Sequence, residues 1–433
     1  MVQGAASERT GLSELFARLR FLLIAIIIYR IGTHIPVPGI HPGRLAELFS
    51  QTEGTLVQLF NVFSGGALER MSIFALNIIP YISASIVMQM FAVVNPHLSQ
   101  LRKEGEQGRK KISQYTRYLT VVFALIQSAS LVFGLSAQGL AINPGLGFYV
   151  VATTALVTGT VFLMWLGEQI TERGLGNGIS MLIFASIVAA FPSAVGQALE
   201  SARQGDLSLL LLLGVMFLAV VVMGVVVFIE RGQRRIPVNY TQRAQAQAQG
   251  NTSYLPLKIN MSGVIPAIFA SSLLLFPATI SQWAGSDGSN AWLQEFALLI
   301  SPGQPLYVIL FAVLIAGFCF FYTALMYDPG EVADNLKRSG GFVPGIRPGS
   351  HTAAHIDTVL TRLTLFGALY MVIICLLPQA LAEGAGMPFY FGGTSVLIVV
   401  VVVMDFMNHV QAHLVSHQYG ALMKNANLAG YRR

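Results

Sequence analysis

Residues 79–85, Ile-Pro-Tyr-Ile-Ser-Ala-Ser, are nearly repeated at residues 265–271, Ile-Pro-Ala-Ile-Phe-Ala-Ser. Each copy opens a long apolar segment just after a proline. In membrane proteins, Gly- or Pro-interrupted segments at corresponding places of two halves mark a pathway at the junction of those halves. The repeat therefore predicts two pseudo-symmetric halves, and it directs the search for a function to the two segments that begin at these prolines.

The composition predicts an all-α polytopic membrane protein. Of the 433 residues, 54% are hydrophobic and 11% are charged, whereas about 25% of the residues of a soluble domain are charged. A bilayer core about 30 Å thick requires about 20 apolar residues per helix. Ten such spans are predicted, in two inverted five-helix halves: 21–36, 76–94, 116–136, 148–168, 178–196, 208–229, 259–283, 305–327, 359–378 and 390–409.

The distribution of basic residues predicts the orientation of these spans. An even number of spans places residues 1–20 and the tail 410–433 on one side, and that side carries 22 of the 26 Lys and Arg residues. Positive loops stay in the cytoplasm, so both termini are expected there. We assign residues 21–196 to an N-terminal half and residues 197–409 to a C-terminal half.

Three segments between spans stand out. Residues 55–75 are amphipathic and are interrupted by Gly65 and Gly66, which fits either a half-helix that re-enters the membrane within protein or an interfacial helix on the outer face. Residues 230–258 and 328–358 are long loops, rich in Arg, Gly and Pro, on the predicted cytoplasmic side. Loops of this length are usually functional, but solvated orientation charges are the alternative. Residues 238–240 predict a short hairpin strand.

The sequence offers no catalytic motif. It contains no Walker A, HExxH or GxSxG pattern, and Cys319 and Cys375 both lie inside apolar spans, so no enzyme, cofactor or metal site is predicted. No carboxylate lies clearly at mid-membrane, which argues against an ion-coupled transporter. Isoleucines occupy the predicted pathway instead, and hydrophobic constrictions gate pores by excluding water. A secondary transporter of a small solute and a scaffold protein remain the alternatives.

Several longer motifs resemble the SecY family of protein-translocation channel subunits. They are residues 60–68 (FNVFSGGAL), 80–85 (PYISAS), 104–118 (EGEQGRKKISQYTRY), 165–174 (WLGEQITERG), 260–270, 333–337 (ADNLK), 344–349 (PGIRPG) and 388–395 (PFYFGGTS). The resemblance extends over nearly the whole chain. It implies a channel that passes unfolded secretory polypeptides across the bacterial inner membrane and releases transmembrane segments sideways into the bilayer.

The resemblance also implies roles for individual residues. The pore ring would consist of Ile78, Ile82, Ile179, Ile183, Ile268 and Ile398. The plug would be the helix at residues 57–74, including Asn61, Phe63, Ser64, Gly65 and Gly66. The lateral gate between the second and seventh spans would include Ser83, Ile86, Gln89, Gln127, Asn260 and Phe276. Docking of a motor or ribosome would use Arg231, Arg234, Arg235, Lys337 and Arg347.

The partners implied by the resemblance are the small membrane subunits SecE and SecG, the motor ATPase SecA, the ribosome with its nascent chain, signal peptides and the lipid bilayer. One segment departs from the family pattern. Residues 244–249 at the tip of the first docking loop alternate Ala and Gln, where relatives are often more basic. We therefore expect electrostatic docking at the base of this loop rather than at its tip.

Overall fold

A computed structural model of the chain describes residues 2–41, 43–45, 61, 64–205, 208–240, 253–283, 299, 304–385 and 393–430. Among these residues, helices account for most of the structure. They are α1 Val2–Gly32, α2 Ile79–Val94, α3 Pro96–Lys103, α4 Glu106–Ala137, α5 Leu146–Arg173, α6 Gly178–Gln204, α7 Leu209–Glu230, α8 Ile265–Trp283, α9 Pro305–Met326, α10 Pro329–Arg338, α11 Ser350–Ala385 and α12 Gly393–Gly430.

Each predicted span overlaps one of these helices. By length and apolar composition, seven helices in the described ranges can cross a membrane, and the count becomes eight if the bent pair α2–α3 is one span. The two helices of that pair meet at an angle of 103°. The apolar stretch of α1 is short, because Arg20 and Arg30 bracket it. Helix α8, Ile265–Trp283, has 19 residues and begins with the apolar stretch Ile265–Leu274.

Local sequence signals explain where several helices begin. Pro80 lies in the first turn of α2, where a missing N–H leaves no helical hydrogen bond unmade. Ser208 caps α7 by accepting a hydrogen bond from the N–H of Leu211. Asp328 caps α10 by accepting from the N–H groups of Gly330 and Glu331. These caps satisfy donors that the first helical turn leaves without a partner.

The chain divides into two compact units. The first contains residues 1–201, 277–297 and 398–433, and the second contains residues 202–276 and 298–397. The first unit includes α1 to α6, and the second includes α7, α9, α10 and α11 together with a small β-sheet.

Small residues allow close packing of backbone in the first unit. A Cβ atom at Gly159 of α5 would lie 1.9 Å from the carbonyl oxygen of Ile73, and one at Gly178 of α6 would lie 2.0 Å from the carbonyl oxygen of Gly167. In lipid, helices gain little from the hydrophobic effect between them, so close contacts at small residues become an important source of stability. The first unit is therefore held together partly at these glycines.

The sheet of the second unit joins the two long loops that are predicted to be cytoplasmic. Its strands are β1 Gln233–Tyr240, β2 Ser253–Lys258 and β3 Gly341–Phe342, in the order β2-β1-β3. Strand β1 confirms the predicted hairpin strand and pairs antiparallel with both neighbours, Gln233 opposite Lys258 and Asn239 opposite Phe342. A hydrophobic cluster covers the sheet with Ile236, Val238, Leu257, Leu336, Val343, Ile356 and Leu360. The described parts of the two long loops thus share one sheet and one hydrophobic cluster.

Candidate functional site

The segment that precedes α2 is packed inside the first unit. Residues 65–78 form turns with a single β-bridge between Ser72 and Pro36, so this part of the expected plug region is not a helix. Gly65, Gly66, Met71 and Asn77 all adopt positive φ angles, which interrupts helical geometry. Most residues from 64 to 78 are buried, and this burial disfavours an interfacial helix for them. Residues 46–60, 62 and 63, including Phe63, lie outside the described residues.

Hydrogen bonds attach the start of this segment to α1 and α6. The hydroxyl of Tyr29, which is fully buried, bonds to the Ser186 hydroxyl and donates to the carbonyl oxygen of Ser64 at 3.3 Å. Arg30 donates from Nη1 to the carbonyl oxygen of Gly65 at 3.2 Å. Buried hydrogen bonds of this kind fix position because leaving a buried polar group unpaired is costly. Ser64 and Gly65 are thereby held against two helices.

Aromatic and backbone contacts hold the remainder of the segment. The ring of Phe74 stacks on Tyr29 and on Phe162, with centroid distances of 6.1 and 5.8 Å. Backbone bonds join the segment to the loop after α1: the N–H of Val37 donates to the carbonyl oxygen of Met71 at 2.8 Å. The side chain of the predicted plug residue Asn61 donates to the Glu69 carboxylate and accepts from the backbone N–H of Glu69, each at 3.1 Å. These contacts make residues 64–76 a folded part of the first unit.

The predicted ring isoleucines do not face outward. Ile78, Ile82, Ile183 and Ile398 are buried in the first unit, where Ile179 is half-buried. Ile268 is buried in the second unit. Their meeting at one constriction stays a prediction.

An open cavity of about 1140 Å³ lies within the first unit next to one ring position. Ile179 and Tyr81 line it together with two histidines, His409 and His413, and its charged side chains are Arg18, Glu106, Arg109, Lys110, Arg117, Glu168 and Glu172. Arg117 donates from Nε to Glu168 at 2.8 Å, so this carboxylate, which lies near the end of α5, is paired. The cavity therefore places charged side chains next to Ile179.

The predicted gate residues occupy different environments. On α2, Ser83 and Gln89 are half-buried and Ile86 is buried. Gln89 donates to the Ser85 hydroxyl at 3.1 Å, and its oxygen accepts no hydrogen bond from the residues that the structure describes. Gln127 on α4 is half-buried. Phe276 lies in α8, but its side chain is outside the described part of the chain. The gate role of these residues stays a prediction.

Asn260 forms the most hydrogen bonds of the predicted gate residues whose side chains the structure describes. It is buried just before α8, and its Nδ2 donates to Glu230 Oε1 at 2.7 Å and to the carbonyl oxygen of Gly263 at 3.1 Å. Its Oδ1 accepts from the Ser262 hydroxyl at 3.0 Å. All of these partners belong to the second unit. Asn260 therefore links the end of α7 to the start of α8.

The predicted docking residues are exposed on one structure in the second unit. Arg231, Arg234 and Arg235 follow α7 or lie on β1, Lys337 lies on α10, and all are exposed. Arg347 is exposed between Gly345 and Gly349, whose φ angles are 82° and 103°. Its carbonyl oxygen accepts a hydrogen bond from the Thr352 hydroxyl at 2.9 Å, which fixes the turn. The loop tip at residues 244–249 lies outside the described residues.

Sequence reasoning missed Tyr29, Ser186 and Glu230. Each resembles an ordinary residue of its helix, and their partners are distant in the chain: Tyr29 and Ser186 are 157 residues apart, and Glu230 and Asn260 are 30 apart. The available signal was a hydroxyl or a carboxylate at positions that face other helices. Hydrophobic periodicity alone does not identify which residue such a hydroxyl or carboxylate bonds to.

Comparisons with known proteins match the whole chain. The family model described as SecY matches residues 72–407. The protein translocase subunit SecY of Pseudomonas aeruginosa is 64% identical over 433 residues, which covers 99% of this chain and 98% of the relative. The protein of the same description from Escherichia coli K12 is 58% identical, with 99% and 98% covered.

Solved structures with low sequence identity share the fold. A structure described as a protein-conducting channel has a TM-score of 0.68 at 17% identity and covers 93% of both chains. The Sec61 chain of a canine ribosome-channel complex has a TM-score of 0.66 at 16% identity, again with 93% of both chains covered. The match of the family model and the identity to relatives over nearly the full length agree with the resemblance of the motifs. This chain belongs to the SecY family.

Proposed function

We infer that the chain is the channel-forming subunit of the Sec protein translocase and is not an enzyme. The observation that carries this inference is the 64% identity to a SecY protein over nearly the full length of both proteins. The exposed basic groups on the sheet of the second unit and the buried isoleucines agree with it. Such a channel conducts a polypeptide without making or breaking a covalent bond.

The membrane topology that fits best has ten spans in two inverted halves, residues 21–196 and 197–409, within the bacterial inner membrane. The near-repeat at residues 79–85 and 265–271 supports two related halves, and each predicted span overlaps a helix. The concentration of 22 of 26 basic residues on one side supports cytoplasmic termini. In this arrangement the docking sheet lies in the cytoplasm.

Transport through this channel depends on a wet path with one apolar constriction. An unfolded chain carries peptide groups that cost several kcal/mol each when they lose their hydrogen bonds in an apolar medium, and a hydrated path removes that cost. Ile78, Ile82, Ile179, Ile183, Ile268 and Ile398 form the constriction, which excludes water and ions when no chain occupies it. The plug, at residues 57–74, closes the path next to the ring at rest.

Sideways release uses the two helices that carry the sequence repeat. Separation of α2 from α8 opens a gate to the lipid, through which an apolar segment leaves the path. The apolar part of a signal peptide, about 7–15 residues long, is the segment that opens this gate. Ser83, Ile86, Gln89, Gln127, Asn260 and Phe276 border the gate, and polar residues among them favour its closed form.

The energy for transport comes from partners that dock on the cytoplasmic sheet. Arg231, Arg234, Arg235, Lys337 and Arg347 form a basic surface for the motor ATPase SecA or for a ribosome with its nascent chain. The exposure of all five on one folded structure supports this role. SecE and SecG complete the translocase as small membrane subunits.

Reconstitution tests the proposal directly. Vesicles that contain this chain with SecE and SecG would receive a presecretory protein, the motor ATPase and ATP, and protease protection would measure uptake. We expect protected full-length substrate, and we expect none when the signal peptide is deleted. Lack of protection in complete, correctly oriented vesicles would contradict the function, and uptake of a small solute in its place would favour a transporter.

A further inference from the structure

The docking hairpin leaves and rejoins the membrane helices at one junction in the second unit. The chain leaves α7 at Glu230, forms β1 and β2, and returns at Asn260 just before α8. The β-ladder ends with Gln233 opposite Lys258, and the N–H of Ile259 then donates to the carbonyl oxygen of Gly232 at 3.1 Å. The sheet therefore continues without a break into the junction.

The bond between Glu230 and Asn260 closes this junction. It measures 2.7 Å between Oε1 and Nδ2, a length typical of hydrogen bonds to a charged group, which are about twice as strong as neutral ones. Asn260 is buried and Glu230 is half-buried. The same Asn260 side chain bonds to Ser262 and to the carbonyl oxygen of Gly263, two residues before α8 begins. The Glu230 carboxylate thus holds Asn260, whose side chain in turn holds Ser262 and Gly263 just before α8.

Packing around the junction leaves little room for it to deform. A Cβ atom at Gly232 would lie 2.4 Å from the Ile259 side chain. A Cβ atom at Gly367 of α11 would lie 3.2 Å from the carbonyl oxygen of Ile259. Because protein interiors are close-packed, a displacement of the sheet is transmitted through such contacts rather than absorbed.

We propose that Glu230 is a positioning residue that couples the docking sheet to α8 through Asn260. This inference rests on the proposed function, in which a partner docks on the sheet and α8 is one side of the lateral gate. A partner that displaces the sheet then moves the first turn of α8 with it. When the carboxylate is absent, the partner still binds, but its binding no longer moves α8.

The test separates the affinity of the motor from the rate of transport. Vesicles with the complete translocase would be titrated with the motor ATPase, giving a half-saturating motor concentration and a maximal rate of substrate uptake. Glu230→Ala should lower the maximal rate about tenfold, the effect of one hydrogen bond to a charged group, with the half-saturating concentration unchanged. Glu230→Gln keeps an acceptor for Asn260 and should recover most of the rate. Thr154→Val, which removes an exposed side-chain hydrogen bond within α5 of the first unit, should change neither quantity.

Other outcomes overturn the inference in distinguishable ways. A Glu230→Ala protein with the normal maximal rate contradicts the coupling, and one with only weaker motor binding makes Glu230 a docking residue. If the Glu230→Ala protein does not accumulate, the single variant Asn260→Asp is compared with the double variant Asn260→Asp, Glu230→Gln. In the double variant the amide introduced at position 230 can donate a hydrogen bond to the carboxylate introduced at position 260, which restores the contact. A double variant no faster than Asn260→Asp alone contradicts the inference. Failure of the unmodified chain to transport would overturn the proposed function, and the coupling with it.

Discussion

Replacement of Tyr29 by phenylalanine removes one hydroxyl group from the contact that holds the end of the plug region. In the structure this buried hydroxyl bonds to the Ser186 hydroxyl and to the carbonyl oxygen of Ser64. Stacking of the ring on Phe74 does not need the hydroxyl and is kept. Each buried hydrogen bond contributes a net 0.5–1.5 kcal/mol, roughly. The bond to Ser186 joins α1 to α6 and does not depend on the segment, so only the bond to Ser64 enters the docking free energy, and its loss costs about 0.5–1.5 kcal/mol.

This free-energy cost raises the fraction of molecules in which the plug segment has left its site. Since about 1.4 kcal/mol corresponds to a tenfold change in an equilibrium constant, Tyr29→Phe should raise the undocked fraction about 2- to 12-fold. Thiol labelling measures this fraction. Ala67 has no exposed surface, so a cysteine introduced by Ala67→Cys reacts with a membrane-impermeant reagent only after the segment has left its site. The native Cys319 and Cys375 are both buried, and their background is measured without the introduced cysteine.

A matched control removes a hydroxyl elsewhere in the same unit. Tyr149 packs against the same hydrophobic cluster as Leu68 and Met71, but its hydroxyl donates to Ser136 on α4 at 2.8 Å. Tyr149→Phe keeps the ring and its packing, so labelling should stay within about twofold of the unchanged chain, the effect expected when the docking equilibrium is untouched. Ser186→Ala should speed labelling, and its combination with Tyr29→Phe should add less than the sum, because the two residues share a bond. Equal labelling rates in Tyr29→Phe and Tyr149→Phe would refute the anchoring role of Tyr29.

Three further changes test other parts of the account. Ile82→Ser should raise the ion conductance of the resting channel in planar bilayers while Ile82→Leu leaves it low, because only an apolar ring excludes water. An Ile82→Ser channel with unchanged resting conductance would count against the ring. Arg347→Glu should lower motor-driven uptake about tenfold through lost charge complementarity, while the complex still assembles normally. Arg44→Glu, on the predicted outer side, should leave uptake unchanged. Equal uptake by the two variants would exclude docking at residue 347. Gly159→Ala should destabilise the purified protein by about 1–3 kcal/mol through overpacking and lower its melting temperature. Gly134→Ala, whose Cβ would meet no atom within 4 Å, should leave the melting temperature unchanged. Equal melting temperatures of the two variants would contradict the packing argument.

The helices were predictable because their signals are local. Apolar stretches of the right length mark each span, and Pro80 marks the start of α2. The strand at residues 238–240 was also predictable from its flanking turn residues and confirmed as part of β1. In each case a window of a few residues contains the information, because helix length and hairpin geometry depend on near neighbours.

Contacts between distant residues were not predictable from one sequence. Nothing local indicates that Asn239 pairs with Phe342, or that the Tyr29 hydroxyl meets Ser186. The expectation of a helix through the plug region failed for residues 65–74, because backbone contacts with the loop after α1 hold Met71 and its neighbours in turns. Tertiary hydrogen bonds override helical propensity where the segment is short and buried.

Crosslinking of a stalled translocating chain tests the central claim most directly. A photoreactive residue would replace Ile82 or Ile268 one at a time, and Phe217 of α7, which is 71% exposed, would serve as the lipid-facing control. If a polypeptide passes through a ring of these isoleucines, positions 82 and 268 should both crosslink to the stalled substrate and position 217 should not. Crosslinks at position 217 without any at 82 and 268 would contradict the account.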